Sequence, residues 1–291
     1  MESDTCCLRI AIQKKGRLAD KTNELLAGIG LRFADYKNRL IVKSENFPVE
    51  LLLIRDDDIP EYVQDGVCDL GVVGQNVIAE KAADVDEIYQ LGFGKCRLSI
   101  AVPKNVGELS SIEKLNGKRL ATSYPTLTKN HFAKRGMNVD VVEISGAVEI
   151  APALNVSDAI CDLVSTGSTL RANGLIEIDD VLRSQAVLIQ TRQELSAEKQ
   201  ALIDRLLVRI SGRQKAEKSK YIMMNAPKTA LDKITEIVQG SKSPTVLPLA
   251  DPNMIAVHAV IRTSDFWEAM EQLKEVGASD IVMLPIDSLI Q

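Results

Sequence analysis

The first two thirds of the chain alternate short aliphatic runs with amphipathic segments, and this alternation restricts the fold more than any other feature. Residues 8–12 and 49–54 are aliphatic runs of strand length, and residues 18–29 have the apolar spacing of a helix that Gly30 would close. This order is typical of α/β layers around a largely parallel sheet. Such sheets hold ligands at the carboxyl ends of their strands.

The strand pattern restarts near residue 96, which predicts a second α/β lobe. CRLSIAVP, KRLATSYP and VDVVEISGAVEI are expected to form strands, the last running into a helix. Strands at 176–182 and 186–190 then lead to a charged helix near 196–219, and two strands crossing between the lobes would make a hinge. We therefore predict a lobe I of residues 1–95, completed by about 184–219, and a lobe II of residues 96–183.

From residue 220 the order becomes strand, helix, strand, strand, helix, strand. The strands are YIMMNA, SPTVLPL, MIAVHAVI and DIVMLPI, and the helices are residues 228–238 and SDFWEAMEQLKEVGA. This is the ferredoxin-like βαββαβ unit. Residues 220–291 are therefore predicted to form a separate small domain.

Composition excludes several classes of partner. No stretch approaches the ~20 apolar residues of a membrane span, and Arg9 interrupts the amino terminus before a signal-peptide core could form. A net charge of −5 and 4% aromatic residues argue against nucleic acid. The five cysteines lack the spacing of a disulfide framework, and His131 and His258 lack partners at zinc-ligand spacing. We expect a cytoplasmic protein with no membrane partner.

An internal repeat supports the division into two lobes. DGVCDLGVVG, residues 65–74, aligns without gaps with DAICDLVSTG, residues 158–167, which pairs Asp65 with Asp158 and Asp69 with Asp162. We expect an equivalent helix, strand and turn in each lobe, with the ligand between two facing crevices. The second copy alone continues into a run of hydroxylated residues.

That run, STGST at residues 165–169, suits a phosphate monoester, because free backbone N–H groups and hydroxyls surround a small turn. Gly167 would allow close approach. A plain N-capping loop is the alternative. Asp162 just upstream favours a sugar phosphate, whose hydroxyls could bind the carboxylate. Glu149 supplies another acid, although it could simply be a solvated residue in the first turn of a helix.

Two charged loops follow predicted strands of lobe I. In QKKGRL the basic residues could neutralise a polyphosphate, and a solvated basic turn explains them equally well. In RDDDIP the carboxylates could bind Mg²⁺, but for Asp58 we expect a helix cap, with Pro60 in the first turn. Walker and dinucleotide-binding motifs are absent from the sequence.

Taken together, these motifs resemble the ATP phosphoribosyltransferases of the long, homohexamer-forming type. The resemblance covers essentially the whole chain and is carried by LRIAIQKKGRL, RDDDIPEYVQDGVCDLGVVGQNV, LNGKRLATSYP, DAICDLVSTGSTLRANGL, KYIMMNAP and GASDIVMLPI. It implies a two-lobed, periplasmic-binding-protein-like catalytic core and a C-terminal ferredoxin-like regulatory domain. It also implies attack of the adenine N1 of ATP on C1 of phosphoribosyl pyrophosphate (PRPP), which gives N1-(5-phospho-β-D-ribosyl)-ATP and pyrophosphate in the first step of histidine biosynthesis.

The resemblance also implies ligands and the residues that bind them. It implies Mg²⁺ as cofactor, L-histidine as feedback inhibitor, AMP as competitive inhibitor, dimers and hexamers of the chain, and no covalent catalytic residue. The implied PRPP-binding residues are Glu149, Asp162, Thr166, Gly167, Ser168, Thr169 and Leu170. The implied ATP-binding residues are Lys14, Gly16, Arg17, Arg55, Asp69, Ser123 and Tyr124. The implied histidine-binding residues are Asn225, Thr245, Leu247 and Ala278.

Two other functions remain open at this point. A two-lobed binding protein for an anion or a sugar phosphate would need no catalysis, since fold does not determine function. A phosphoribosyltransferase for a different base would share the PRPP loop, but it would leave the C-terminal domain unexplained.

Overall fold

The computed structural model describes residues 7–34, 39–104, 107–238 and 243–290. The chain divides into two compact units, one of residues up to 27 with 31–202, the other of residues 28–30 with 203–291. Among the described residues, no helix combines the length and the apolar character needed to cross a membrane.

The first sheet forms the centre of lobe I. Its chain order is β1 (Leu8–Gln13), α1 (Arg17–Gly28), β2 (Ile41–Lys43), β3 (Val49–Ile54), α2 (Ile59–Gln64), β4 (Leu70–Gly74), α3 (Gln75–Lys81) and β5 (Asp86–Gln90). The spatial order is β2-β3-β1-β4, followed by a strand from later in the chain and then β5. Strands β3, β1 and β4 are parallel, so their carboxyl ends meet at one edge.

The second sheet forms the centre of lobe II. Its elements are β6 (Cys96–Pro103), β7 (Arg119–Thr122), α4 (Pro125–Ala133), β8 (Asp140–Glu143), β9 (Ala159–Val164), α5 (Ser168–Ala172) and β10 (Leu175–Ser184). The spatial order is β10-β6-β9-β7-β8, in which β9, β7 and β8 are parallel. Aliphatic side chains bury both faces of this sheet.

The expected α/β class is confirmed, whereas the expectation of largely parallel sheets is wrong. β11 (Ala186–Gln190) follows β10 after one residue and inserts antiparallel between β4 and β5 of the first sheet. β6 and β10 are antiparallel to their neighbours in the second sheet. The chain passes between the lobes at 91–95 and at Gln185, and the strand that follows each crossing, β6 or β11, runs against the parallel set of its sheet.

After α6 (Ala197–Glu217), the C-terminal domain has the predicted βαββαβ order. Its elements are β12 (Ser219–Pro227), α7 (Leu231–Ile237), β13 (Thr245–Pro248), β14 (Met254–Arg262), α8 (Phe266–Glu275) and β15 (Ser279–Pro285). The sheet order β13-β14-β12-β15 is antiparallel throughout. Alternate side chains such as Ile222, Met224 and Val257 are buried with Ile234 and Leu273 of the helices.

Two local predictions need correction. Asp58 precedes α2, but its side chain makes no capping hydrogen bond, because the residue ends a 3₁₀ turn, Asp56–Asp58, and has helical backbone angles. Pro60 does lie in the first turn of α2. The helix expected after β8 is only a 3₁₀ turn, Val148–Ile150, which follows Ala147 in the left-handed conformation.

Candidate active site

A polar cavity of about 540 Å³ lies where the two lobes face each other. Residues that follow β3 and residues of α3 line it from lobe I, and residues at the ends of β7, β8 and β9 line it from lobe II. These are carboxyl ends of parallel strands, where backbone and loop groups are free to bind a ligand. The carboxylates that line the cavity are Asp56, Asp57, Glu80, Glu143 and Asp162.

Asp162 lies on β9, in line with Ser99 of β6, and opens onto the cavity. Burial raises the pKa of its carboxyl, the N–H of Leu163 lowers it, and the negative charge of Glu149 raises it further. The carboxylate therefore pays a desolvation cost that one local hydrogen bond only partly offsets. The structure brings Asp162 and Glu149 together, although thirteen positions separate them in the sequence.

The hydroxylated turn directly follows β9. Gly167 is buried and has φ +73°, and it forms the N-cap of the short helix α5. Thr166 and Ser168 are exposed, with their hydroxyl oxygens 3.0 Å apart, and Thr169 is also exposed. Leu170 is only 5% exposed and packs in the core, so its side chain is not available to a ligand.

Sequence reasoning missed the cations around this turn. The Arg171 guanidinium donates to the carbonyl oxygen of Thr166 at 3.1 Å. Beside the turn, Arg97 of β6 donates two hydrogen bonds, of 2.7 and 2.6 Å, to the Glu177 carboxylate of β10. The Arg97 guanidinium holds the pKa of Glu177 below its usual range, and Arg171 contributes in the same direction. Arg171 stands five residues after the Thr166 that it contacts, which was the available sequence signal.

Tyr124 and Ser123 line the cavity at the end of β7. The Ser123 hydroxyl donates to the carbonyl oxygen of Ile144 at 2.6 Å, which ties the turn to the strand beside it. The Tyr124 hydroxyl accepts from the Asn76 side chain at 2.9 Å. Burial raises the pKa of Tyr124, so this phenol stays neutral and presents an uncharged ring to the cavity.

The predicted basic residues lie at the same edge of the first sheet but outside the lining of this cavity. Lys14, Gly16 and Arg17 follow β1 and are exposed, and Arg55 is exposed just after β3. The Lys14 N–H donates to the carbonyl oxygen of Ile54, so the two loops lie side by side. Gly16 has φ +103°, a conformation that favours glycine.

Asp69 lies at the opposite edge. It precedes β4 at the amino end of the strand, is 5% exposed, and binds Lys199 at 2.7 Å. Its carboxylate also accepts the N–H of Arg9 at 2.8 Å. These contacts give Asp69 a structural role, and we leave it out of the proposed ATP site.

The same contacts show which aspartates of the internal repeat are structurally equivalent. Asp69 and Arg9 exchange two hydrogen bonds, N–H to carbonyl and N–H to carboxylate. Asp158 and Arg119 exchange the same pair in lobe II. Asp158, rather than Asp162, is therefore the counterpart of Asp69, and the sequence alignment is wrong by four residues.

Three of the four candidate histidine-binding residues share one face of the C-terminal sheet. In the strand register, Asn225 pairs with Ala256, which pairs with Leu247, and Thr245 pairs with His258. This face lies opposite the one that the helices bury. Ala278 is 8% exposed and packs in the domain core.

Fold and cleft together define a two-lobed α/β protein with a polar cavity between its lobes. A family model described as ATP phosphoribosyltransferase matches residues 55–212, and one described as the C-terminal domain of the same protein matches residues 216–288. The chain belongs to the ATP phosphoribosyltransferase family, the pentosyltransferases of the first step of histidine biosynthesis.

Two individual relatives agree with this assignment. An ATP phosphoribosyltransferase of Cytophaga hutchinsonii is 49% identical over 98% of this chain and 99% of its own length. A chain of the ATP phosphoribosyl transferase (HisG:HisZ) complex from Thermotoga maritima is 26% identical with a TM-score of 0.61, and the match covers 70% of this chain and 98% of that one. The alkanesulfonate-binding protein SsuA of Xanthomonas axonopodis pv. citri is 16% identical with a TM-score of 0.46, over 71% of this chain and 72% of that one.

The donor groups in the cleft suit a magnesium ion that is shared with a substrate. Mg²⁺ takes oxygen ligands, and in nucleotide sites it commonly uses one or two carboxylates together with substrate phosphates. Asp56 and Asp162 offer such oxygens, and burial raises the pKa of both. The described residues contain no group of three or more side chains that would hold a metal ion unaided.

Proposed function

We propose that PRPP binds in lobe II at Asp162, Glu149 and the turn at 166–170, and that ATP enters the cleft beside Tyr124. The observation that carries this proposal is Asp162, a desolvated carboxylate that opens onto the cavity and stands just before a turn of exposed hydroxyls. A ribose hydroxyl can donate to this carboxylate, which among the described residues accepts only the N–H of Leu163.

The proposed mechanism forms the bond from adenine N1 to ribose C1 and breaks the bond from C1 to pyrophosphate. Glu149 and Asp162 hold the ribose hydroxyls, while the amides and hydroxyls of Thr166, Ser168 and Thr169 hold the 5′-phosphate. The lobes align the two reacting atoms and keep water out. No covalent nucleophile is required.

The negative charge of the phosphate groups and of the leaving pyrophosphate is proposed to be neutralised by basic side chains and by Mg²⁺. Lys14, just after β1, and Arg17, the first residue of α1, are proposed to neutralise phosphates that extend beyond the acidic cavity, with Arg55 beside them. Asp162 and Asp56 would hold Mg²⁺ together with substrate oxygens, and the ion would supply charge neutralisation on the departing pyrophosphate.

Regulation is proposed to involve the C-terminal domain, residues 220–291. We place L-histidine on the open sheet face at Asn225, Thr245 and Leu247, and leave the buried Ala278 side chain out of the site. Residues 1–95, completed by about 184–219, and residues 96–183 are proposed as the two catalytic lobes. AMP would compete for the ATP position, the chain would form dimers and hexamers, and the protein would act in the cytoplasm.

The test is to mix protein, Mg²⁺, ATP and PRPP and to follow pyrophosphate release with and without L-histidine. We expect release that requires both substrates and that histidine lowers. Absence of release under every condition would refute the catalytic proposal. Release that is insensitive to histidine would refute only the regulatory part.

The site is tested in the same assay with Asp162→Asn. We expect PRPP to bind about tenfold to a hundredfold more weakly, because a neutral amide accepts weaker hydrogen bonds from the ribose. Burial raises the pKa of Asp162 in the folded protein. The contribution of this side chain to stability is therefore fully present below the pKa of the unfolded chain, and it is lost as the pH rises through the pKa of the folded protein. The variant should therefore melt no lower than wild type at neutral pH. Unchanged PRPP binding would contradict the assignment.

A further inference from the structure

Helix α4 begins with backbone amides that its own sequence leaves without partners. Its first residue, Pro125, has no N–H, and the first hydrogen bond of the helix joins the N–H of Thr128 to the carbonyl oxygen of Tyr124. The N–H groups of Thr126 and Leu127 precede that bond, and an N-cap side chain normally accepts them. Tyr124 is the N-cap residue and makes no such hydrogen bond.

The missing cap comes from the other lobe. Glu80 on α3 accepts the N–H of Thr126 on Oε1 at 2.7 Å and the N–H of Leu127 on Oε2 at 2.9 Å. Both bonds are charge-assisted, and a negative charge is favoured at the positive end of a helix. A carboxylate of lobe I therefore satisfies the first turn of a helix of lobe II.

A second contact reinforces this pairing. Asn76 stands four residues before Glu80, so both side chains lie on one face of α3. The Asn76 amide donates to the Tyr124 hydroxyl at 2.9 Å. Asn76 is itself held by Ser184, which accepts its backbone N–H at 3.0 Å and donates to its side-chain oxygen at 2.8 Å. One face of α3 thus binds both the Tyr124 side chain and the first turn of α4, which follows Tyr124.

We propose that Glu80 is a positioning residue of this transferase, which caps α4 across the cleft and thereby holds Tyr124 in place as the lobes meet. Glu80, Tyr124, Pro125 and Thr126 all line the cavity, so loss of the cap would change the shape of the cleft itself. The link to catalysis rests on the proposed position of ATP beside Tyr124. The cap itself does not depend on that proposal.

Glu80→Gln is a nearly isosteric test. A glutamine keeps one acceptor oxygen but presents an NH₂ group to the second amide, so one hydrogen bond is lost and the charge disappears. Glu80 is half-buried on a short surface helix, which should tolerate the change. Glu61→Gln on the neighbouring helix α2 makes the same substitution at an exposed side chain and is the matched control.

Amide hydrogen exchange of the protein without substrates tests the cap directly. In wild type and in Glu61→Gln, the N–H groups of Thr126 and Leu127 should be protected. In Glu80→Gln their exchange should be about tenfold faster, while the melting temperature stays close to that of wild type. Glu80→Asp, which keeps the charge on a shorter side chain, should fall between the two. Equal exchange in wild type and Glu80→Gln would refute the cap.

Steady-state kinetics test the positioning role. The KM for ATP should rise about tenfold in Glu80→Gln, because an ill-placed Tyr124 weakens the ATP site. The KM for PRPP should change much less, since its proposed groups lie on β9 and the turn after it. An equal rise in both KM values, or no rise in either, would refute the positioning role. If wild type released no pyrophosphate, the proposed function would fail and the exchange experiment would still decide the cap.

Discussion

At the scale of single residues, two equivalent positions carry different side chains. Cys68 precedes Asp69 and Ser157 precedes Asp158, the two aspartates that make matching hydrogen bonds to Arg9 and Arg119. Cys68 is fully buried and Ser157 is 4% exposed. Burial and the charge of Asp69 raise the pKa of Cys68 to about 12, and its side chain packs in the hydrophobic core of lobe I. The Ser157 hydroxyl has no hydrogen-bond partner among the residues that the structure describes.

We predict that Ser157→Ala leaves the free energy of unfolding unchanged or raises it by about 1 kcal/mol, because a buried hydroxyl without a partner costs desolvation energy. Urea denaturation measures the change. Ser99→Ala is the matched control, since Ser99 is equally buried and its hydroxyl donates to Asp180 at 3.0 Å. The control should lose stability. A larger loss in Ser157→Ala than in Ser99→Ala would show that Ser157 has a partner.

Single residues also show where sequence reasoning is limited. The sequence alignment pairs Asp69 with Asp162 because the letters around them match best. In the structure Asp69 and Asp158 occupy equivalent positions, because each donates its backbone N–H to an arginine of the neighbouring strand. Strand neighbours are separated by many residues, so no local pattern could have shown this.

At the scale of elements, the unit formed by β9, the turn and α5 depends on one glycine. A Cβ at Gly167 would lie 3.0 Å from Arg171 Nη1 and 3.2 Å from Glu177 Oε1, and the φ of +73° disfavours any side chain. Gly136 after α4 has a similar φ of +68°, but a Cβ there would meet nothing within 4 Å. The two positions therefore share the backbone requirement and differ in their surroundings.

We predict that Gly167→Ala and Gly136→Ala each lower the free energy of unfolding by about 1 to 2 kcal/mol, the cost of a left-handed alanine. Gly167→Ala alone should also weaken PRPP binding, because the turn must shift Arg171 or Glu177 to make room. Calorimetric titration with PRPP distinguishes the two variants. Equal PRPP binding by both would remove the turn from the proposed site.

The elements themselves were largely predictable. Most strands of the two lobes, α1, α6 and the βαββαβ order follow from apolar periodicity and glycine positions, which are local properties, whereas β2 and β5 were not predicted. The mixed sheets were not predictable, because strand direction depends on where the chain crosses between lobes. The cap of α4 was not predictable either, because Glu80 and Thr126 are far apart in the sequence and come into contact only in the folded protein.

At the scale of the whole molecule, the C-terminal domain leaves one sheet face uncovered by its own helices. Met223, Val282, Tyr221 and Leu284 share this face in the register, and Val282 is 46% exposed. Leu247, on another strand of the same face, is 47% exposed. An apolar face of this kind suits contact with a second copy of the chain, as the proposed assembly requires.

We predict that Val282→Asp lowers the oligomeric state and weakens inhibition by histidine, while pyrophosphate release persists. A charge placed in an apolar interface is strongly unfavourable. Light scattering coupled to size-exclusion chromatography measures the assembly. Trp267→Glu is the control, because Trp267 is 74% exposed but lies on helix α8 in the other layer. Loss of assembly in the control rather than in Val282→Asp would place the interface on the helices.

The α/β class, the ferredoxin-like domain and the family can be inferred from the sequence, because periodicity, turn residues and contiguous motifs are properties of neighbouring residues. Which charged groups meet depends on the tertiary fold. It brought Glu149 to Asp162, put Asp69 at the edge away from the cleft, and made Glu80 the cap of a helix in the opposite lobe. Those contacts depend on distances between residues far apart in the chain, and such distances arise only when the two sheets fold and meet.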